Sequence, residues 1–140
     1  MSKKLLLFTT LLIFIPLLLS AQEAAKPAAT LSVETAVCTA VTDRAAVGTA
    51  DNFPPESGKL FLWCKVTGAA AGTAISHVWL HDGKEVAKVE LTLGGSSWRT
   101  WSSKTIPASW TGNWEVKVLG PDGAELKSVT FTVGAAPVQK

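Results

Sequence analysis

Residues 113–133 read NWEVKVLGPDGAELKSVTFTV, and this stretch decides the fold. Trp114, Val116 and Val118 alternate with Glu115 and Lys117. Val129, Phe131 and Val133 alternate with Thr130 and Thr132. A period of two sorts the side chains of an extended strand onto a dry side and a wet side. Pro121-Asp122-Gly123 between the two runs is turn chemistry. The stretch is therefore read as a β-hairpin, with burial selecting its register. A two- or four-residue loop sets Trp114 opposite Phe131 and Val116 opposite Val129 on one apolar face. A three-residue loop would set Val116 against Ser128 and split that face. The first register is the one expected.

The same punctuation recurs outward along the chain. Short apolar or alternating runs at 32–41, 59–67, 74–80, 85–93 and 98–105 precede those at 113–119 and 125–133. Seven such runs, split by Gly, Pro and Asp, predict an all-β fold: an immunoglobulin-like antiparallel β-sandwich of about seven strands over residues 32–134. No segment holds a sustained helical period. The long gap at 43–58, with Pro54-Pro55, reads as a loop.

The hairpin around His81-Asp82-Gly83-Lys84 has two solutions. A two-residue loop sets His77 opposite Lys88 and Trp79 opposite Val86. Val78, Leu80, Ala87, Val89 and Leu91 then face the core, and His77 and Trp79 lie outside. A three-residue loop with a glycine bulge flips the parity and buries Ile75, His77 and Trp79 with Ala87, Val89 and Leu91. One solution makes a surface site and the other a structural tryptophan.

At the N-terminus, Lys3 and Lys4 precede an apolar run from Leu5 to Leu19, followed by Ser20 and Ala21. This is the pattern of a secretory signal peptide over residues 1–21, and the run is shorter than the roughly 20 residues of a spanning helix. Residues 22–31 read as a disordered linker and 135–140 as a tail. Of the 13 basic and 11 acidic residues, the leader holds two lysines and no acid, so the mature chain is formally neutral. That balance offers no electrostatic footprint for nucleic acid. The expected location is the periplasm or outside the cell, with no membrane insertion after cleavage. In such a compartment Cys38 and Cys64 are expected to form a disulfide, with two buried thiols as the alternative.

Four of the six tryptophans (Trp98, Trp101, Trp110 and Trp114) fall within seventeen residues. Trp98 and Trp101 are three apart and point to opposite faces of a strand, and Arg99 shares the face of Trp101. Trp63 lies with Phe61 and Lys65, away from the apolar set Leu60, Leu62, Cys64 and Val66. Trp110 is expected to plug one end of the sandwich. An indole beside Arg or Lys suits a peptide, a sugar ring or another subunit, whereas packing under a loop such as 51–58 would close it off.

Catalytic and metal chemistry find little support in the residue pattern. His77 and His81 on one strand stand about 13 Å apart at roughly 3.3 Å per residue, too far to share a tetrahedral ion. Ser102 and Lys104 share a face, but no nucleophile elbow or orienting acid accompanies them.

His77-Val78-Trp79, Asp82-Gly83, Trp98-Arg99-Thr100-Trp101-Ser102-Ser103-Lys104, Trp110-Thr111-Gly112-Asn113-Trp114 and Asp122-Gly123 together resemble the bacterial family catalogued as domain of unknown function 2914. The resemblance spans about residues 35–133. It implies a small exported or membrane-attached β-rich domain with no established activity. The family tends to carry polar residues where Val78 and Leu80 stand, which implies that those two point outward and His77 and Trp79 inward. It also tends to follow Asp-Arg with Glu-Pro, where this chain has Asp43-Arg44-Ala45-Ala46.

The functional expectation is an exported, non-catalytic module for protein interaction or assembly in the cell envelope, without cofactor or metal. The alternative is a carbohydrate-binding module using exposed tryptophans, so the partner is an envelope protein or a glycan. The candidate contact residues are Trp63, His77, Trp79, Arg99 and Trp101.

Overall fold

The computed structural model describes residues 31–134. The leader, most of the linker and the tail lie outside the described residues. The strands are β1 (Ser32–Cys38), β2 (Ala40–Thr42), β3 (Ala45–Val47), β4 (Asn52–Phe53), β5 (Lys59–Thr67), β6 (Ala74–His81), β7 (Lys84–Thr92), β8 (Ser97–Thr105), β9 (Gly112–Leu119) and β10 (Glu125–Val133). One 3-10 turn, Pro55–Ser57, precedes β5.

Two sheets pack face to face. One has the order β1-β5-β8 and the other β4-β10-β9-β6-β7, and β2 and β3 form a separate hairpin. All pairings are antiparallel except the short parallel one between β4 and β10. The seven long strands, split three and four, make the expected immunoglobulin-like sandwich. Their inward sides hold Leu60, Leu62, Val66, Ile75, Trp79, Trp114, Val116, Val118 and Phe131. Trp79 and Trp114 are at most 1% exposed. Each removes roughly 200 Å² from water, on the order of 5 kcal/mol of apolar burial before entropy is charged against it.

The deciding hairpin has the expected register: Phe131 faces Trp114 and Val129 faces Val116. The route differs from expectation. The Gly120 N–H donates to the Ala124 carbonyl at 2.8 Å, which leaves a three-residue loop. A bulge between Glu125 and Lys127 then shifts the pairing by one residue. The bulge restores the parity that burial demands.

The hairpin of β6 and β7 is decided the same way. Asp82 and Gly83 both have positive φ (48° and 81°), so the turn is the tight two-residue kind, with His81 opposite Lys84. Between Trp79 and Leu80 the register slips past Val86, so Trp79 faces Ala87 and His77 faces Val89. His77 and Trp79 are both fully buried, and Val78 and Leu80 take the outer side.

The first strand ends earlier than expected. It breaks after Cys38, and Asp43 and Arg44 (φ 51° and 63°) make a second tight turn joining β2 and β3. The gap read as a loop thus holds β3, β4 and the 3-10 turn. The expected disulfide is absent, and both thiols are free and buried. Cys38 stands opposite Phe61 and Cys64 opposite Thr35. Three positions along a ladder are about 10 Å, and odd spacing puts the sulfurs on opposite faces. A bridge requires Cα atoms within about 7 Å.

Candidate functional site

β5 and β8 lie side by side, and their two faces differ sharply. Inward, Cys64 and Ser102 meet His77 and Trp79 from β6 across the sandwich. Nδ1 of His77 is 2.6 Å from Ser102 Oγ, the Trp79 indole N–H donates to the same oxygen at 3.2 Å, and Nε2 of His77 is 3.4 Å from Cys64 Sγ. With the indole already donating to Oγ, the Ser102 proton goes to Nδ1. The ring proton then sits on Nε2 and points at sulfur. The other tautomer would leave the Ser102 hydroxyl without an acceptor, a larger penalty than an idle thiol proton. No buried side-chain polar atom among the described residues lacks a partner.

Burial keeps this node neutral. Desolvation lowers the His77 pKa to about 4 and raises that of Cys64 to about 12. A thiolate–imidazolium pair, the activated form of a cysteine nucleophile, is therefore strongly disfavoured. His77 and Cys64 are both 0% exposed, so neither can meet a substrate while the sandwich is closed. This corrects the expectation that His77 and Trp79 are contact residues: the bulge in β7 turns both into the core. Their role is to tie β6 to β5 and β8. No group of three or more His, Cys, Asp or Glu that could hold a metal ion occurs among the described residues.

The outward faces carry the other candidates. Trp63 stands opposite Trp101, and Lys65 opposite Arg99. Trp101 is 37% exposed, and Arg99 is exposed beside it. Trp63 is half-buried, and its indole N–H donates to the Arg44 carbonyl at 2.9 Å. The cover over Trp63 is thus the β2–β3 hairpin rather than the 51–58 segment. Arg44 holds a left-handed conformation that side chains disfavour. Its guanidinium carbon lies 5.1 Å from the centroid of Trp98, within cation–π range. Trp98 itself faces inward and packs on Gly94, where a Cβ would stand 2.6 Å from the ring.

Arg44, Lys65 and Arg99 converge with Ser97 and Trp98 on a hollow of about 240 Å³. No carboxylate lines it, and none of the three cations is in an ion pair among the described residues. Sequence reasoning found Arg99 and Trp101 from strand parity. It missed Arg44, whose place depends on a turn that the Asp-Arg pair alone did not announce.

At one end of the sandwich, Trp110 stacks on His81 (5.5 Å, 3° between planes), and His81 in turn stacks on Trp114 (4.6 Å). His81 Nε2 donates to the Thr111 carbonyl at 2.8 Å. This stack plugs the end, as expected for Trp110. Among the described residues, no helix is long and apolar enough to cross a membrane.

Residues 72–133 match the model of the family described as Protein of unknown function (DUF2914). The match contains the Trp-Arg-x-Trp and Trp-x-Gly-x-Trp motifs and supports the resemblance they carried; residues 35–71 lie outside it. No curated protein matches the sequence significantly. Among solved structures, a β-glucosidase from Listeria innocua in complex with glucose aligns over 75% of this chain at 10% identity and TM-score 0.43. An endonuclease/exonuclease/phosphatase from Beutenbergia cavernae DSM 12333 aligns over 60% at 24% identity and TM-score 0.32. This chain spans only 16% and 22% of those proteins, and the likeness says nothing about activity.

Proposed function

We propose, with the family match over residues 72–133 as premise, that this is an exported, non-catalytic β-sandwich module that binds a protein partner in the cell envelope. Export rests on the leader pattern of residues 1–21. The observation that carries the binding reading is Trp101, an exposed indole on a regular strand, beside Arg99 and a hollow lined by three cations and no carboxylate. Aromatic and arginine side chains are enriched where proteins meet, because each offers apolar area together with a polar handle. The non-catalytic reading draws support from the interior node, in which nucleophile and base are neutral and sealed.

A second reading, carbohydrate binding, draws on the same exposed ring with polar Arg99 and Ser103 at its flanks. It is weakened by the cover over Trp63, which leaves one open indole rather than a platform of two.

A photo-crosslinking residue at Ser103, in cells that make the protein, tests the choice against the same residue at Glu90 on the opposite sheet. The expected result is a discrete protein adduct from position 103 and none from 90. Equal adducts from both positions, or none from either, would overturn the reading. Binding to an envelope glycan that Trp101→Ala abolishes would replace it with the carbohydrate alternative.

A further inference from the structure

The outer rim of β8 carries an inference about how such a partner docks, and it rests on the function proposed above. Hydrogen bonds at both ends of the β5–β8 ladder fix which backbone groups are spare. The Ile106 N–H donates to the Gly58 carbonyl at 2.6 Å, and the Gly68 N–H donates to the Ser96 carbonyl at 2.8 Å. The register between them is unbroken. Antiparallel pairs alternate between bonded and non-bonded, so the even residues of β8 bond to β5. The N–H and C=O groups of Ser97, Arg99, Trp101 and Ser103 therefore point away from β5. Among the described residues no strand pairs with that side of β8.

The other edges of the two packed sheets are bulged, charged, short or partly crossed. β7 is bulged at Val86 and presents Lys84, Glu85, Lys88 and Glu90. β4 has only two residues. The rim of β1 is met near its end by the next segment, whose Ala50 N–H donates to the Val37 carbonyl at 3.4 Å, and its remaining outward groups are those of Val33 and Thr35. Bulges, charges, shortness and covering segments are the ordinary devices against unwanted strand pairing. β8 runs nine residues with no bulge and no proline. Only its last turn is closed, where Lys104 Nζ donates to the Thr105 carbonyl.

We infer that the free rim of β8 from Ser97 to Ser103 accepts an extended, acidic segment of the partner as an added strand, with a carboxylate set against Arg99 and Lys65 and an apolar side chain against Trp101. Main-chain bonds supply affinity in this mode, and alternate side chains supply specificity. The acidic character follows from the three cations that line the hollow without a carboxylate among its lining residues. Glu34, the cross-strand neighbour of Lys65, is the nearest acid by register and forms no ion pair with it, and Arg44 and Arg99 outnumber it. The same charge disfavours a second copy of this chain, which would bring Arg99 of each copy to one rim.

The test uses the mature protein and a short synthetic peptide alternating glutamate with valine, alongside its lysine counterpart. Amide hydrogen exchange is read residue by residue. The glutamate peptide is expected to slow exchange at Arg99, Trp101 and Ser103, with no such effect from the lysine peptide. Arg99→Gln should weaken binding roughly threefold at low salt, the scale of one surface ion pair. Ser103→Pro removes an outward N–H without breaking the β5 ladder, so it should fold normally and lose the protection altogether. Unchanged exchange at those three amides, equal protection by the lysine peptide, or protection that rises with protein concentration alone would overturn the inference. With the photo-crosslinking residue moved to Thr105, exposed on the same outer face, an envelope adduct that survives Ser103→Pro but not Trp101→Ala would sink strand addition and leave the interaction face standing.

Discussion

Ser102 and Trp101 are neighbours in β8, yet one is 5% exposed and the other 37%. Inward, Ser102 shares its single oxygen between the imidazole of His77 and the indole of Trp79. Outward, Trp101 and Arg99 face solvent with spare backbone groups beneath them. The difference shows where polarity is constrained. A polar group sealed in a core must be satisfied, because leaving it unpaired costs about 1–3 kcal/mol. At the rim, water satisfies it for nothing until a partner arrives. The inner side therefore governs stability and the outer side recognition, and substitutions should separate the two.

The largest separation is expected from the two tryptophans. Trp79→Ala should destabilise by roughly 3–5 kcal/mol in denaturant unfolding, since it empties a fully buried site and removes one of the two partners of the Ser102 oxygen. Trp101→Ala should stay within about 0.5 kcal/mol of the parent while removing envelope cross-linking. If both variants unfolded at the same denaturant concentration, the inner and outer division would fail.

Acid should act next most strongly, through His77. The folded chain holds its imidazole neutral down to about pH 4, whereas the unfolded chain takes up the proton near 6.5. Between those values the unfolded state binds more protons, so stability is full above about 6.5 and falls as pH drops toward 4. The total is on the order of 3 kcal/mol. A His77→Gln variant should lose this slope even though it starts less stable, and a slope that survived would locate the titration elsewhere. At the alkaline end, burial holds Cys64 protonated to about 12 while the unfolded thiol ionises near 9, so stability should decline above pH 9.

Ser102→Ala should cost about 1–3 kcal/mol, because it leaves the imidazole and the indole without their shared partner. Ser103→Ala on the outer face should be within about 0.5 kcal/mol of neutral. The smallest effect is a null one. Reductant should leave the unfolding midpoint unchanged, and intact mass under non-reducing conditions should show two free thiols, since Cys38 and Cys64 lie on opposite faces of their sheet.

Much of the architecture could be read ahead from particular residues. Trp114, Val116, Phe131 and Val133 announced their strands by alternation, and Leu60, Leu62, Cys64 and Val66 announced an inward face that is buried throughout. On the candidate site, the parity of Trp101 and Arg99 against Trp98 was readable for the same reason. Arg44 was not, because Asp-Arg is an unusual pair for a turn with two positive φ values, and only the surrounding contacts hold it there. The contact role expected of His77 and Trp79 failed because a bulge at Val86, invisible in the residue types, moved both to the inside.

The chain alone therefore determined which residues alternate, where the two Asp-Gly hairpins turn, and that the product is a β-sandwich, because those properties are local and written in side-chain chemistry. Tertiary structure decided the parity of the β6–β7 hairpin, the separation of the two sulfurs, the cover over Trp63 and the open rim of β8 among the described residues. Each of these depends on a single-residue slip or on which strand lies beside another. Turn chemistry barely distinguishes such alternatives. The burial of one sheet against the other separates them by several kcal/mol for each large side chain.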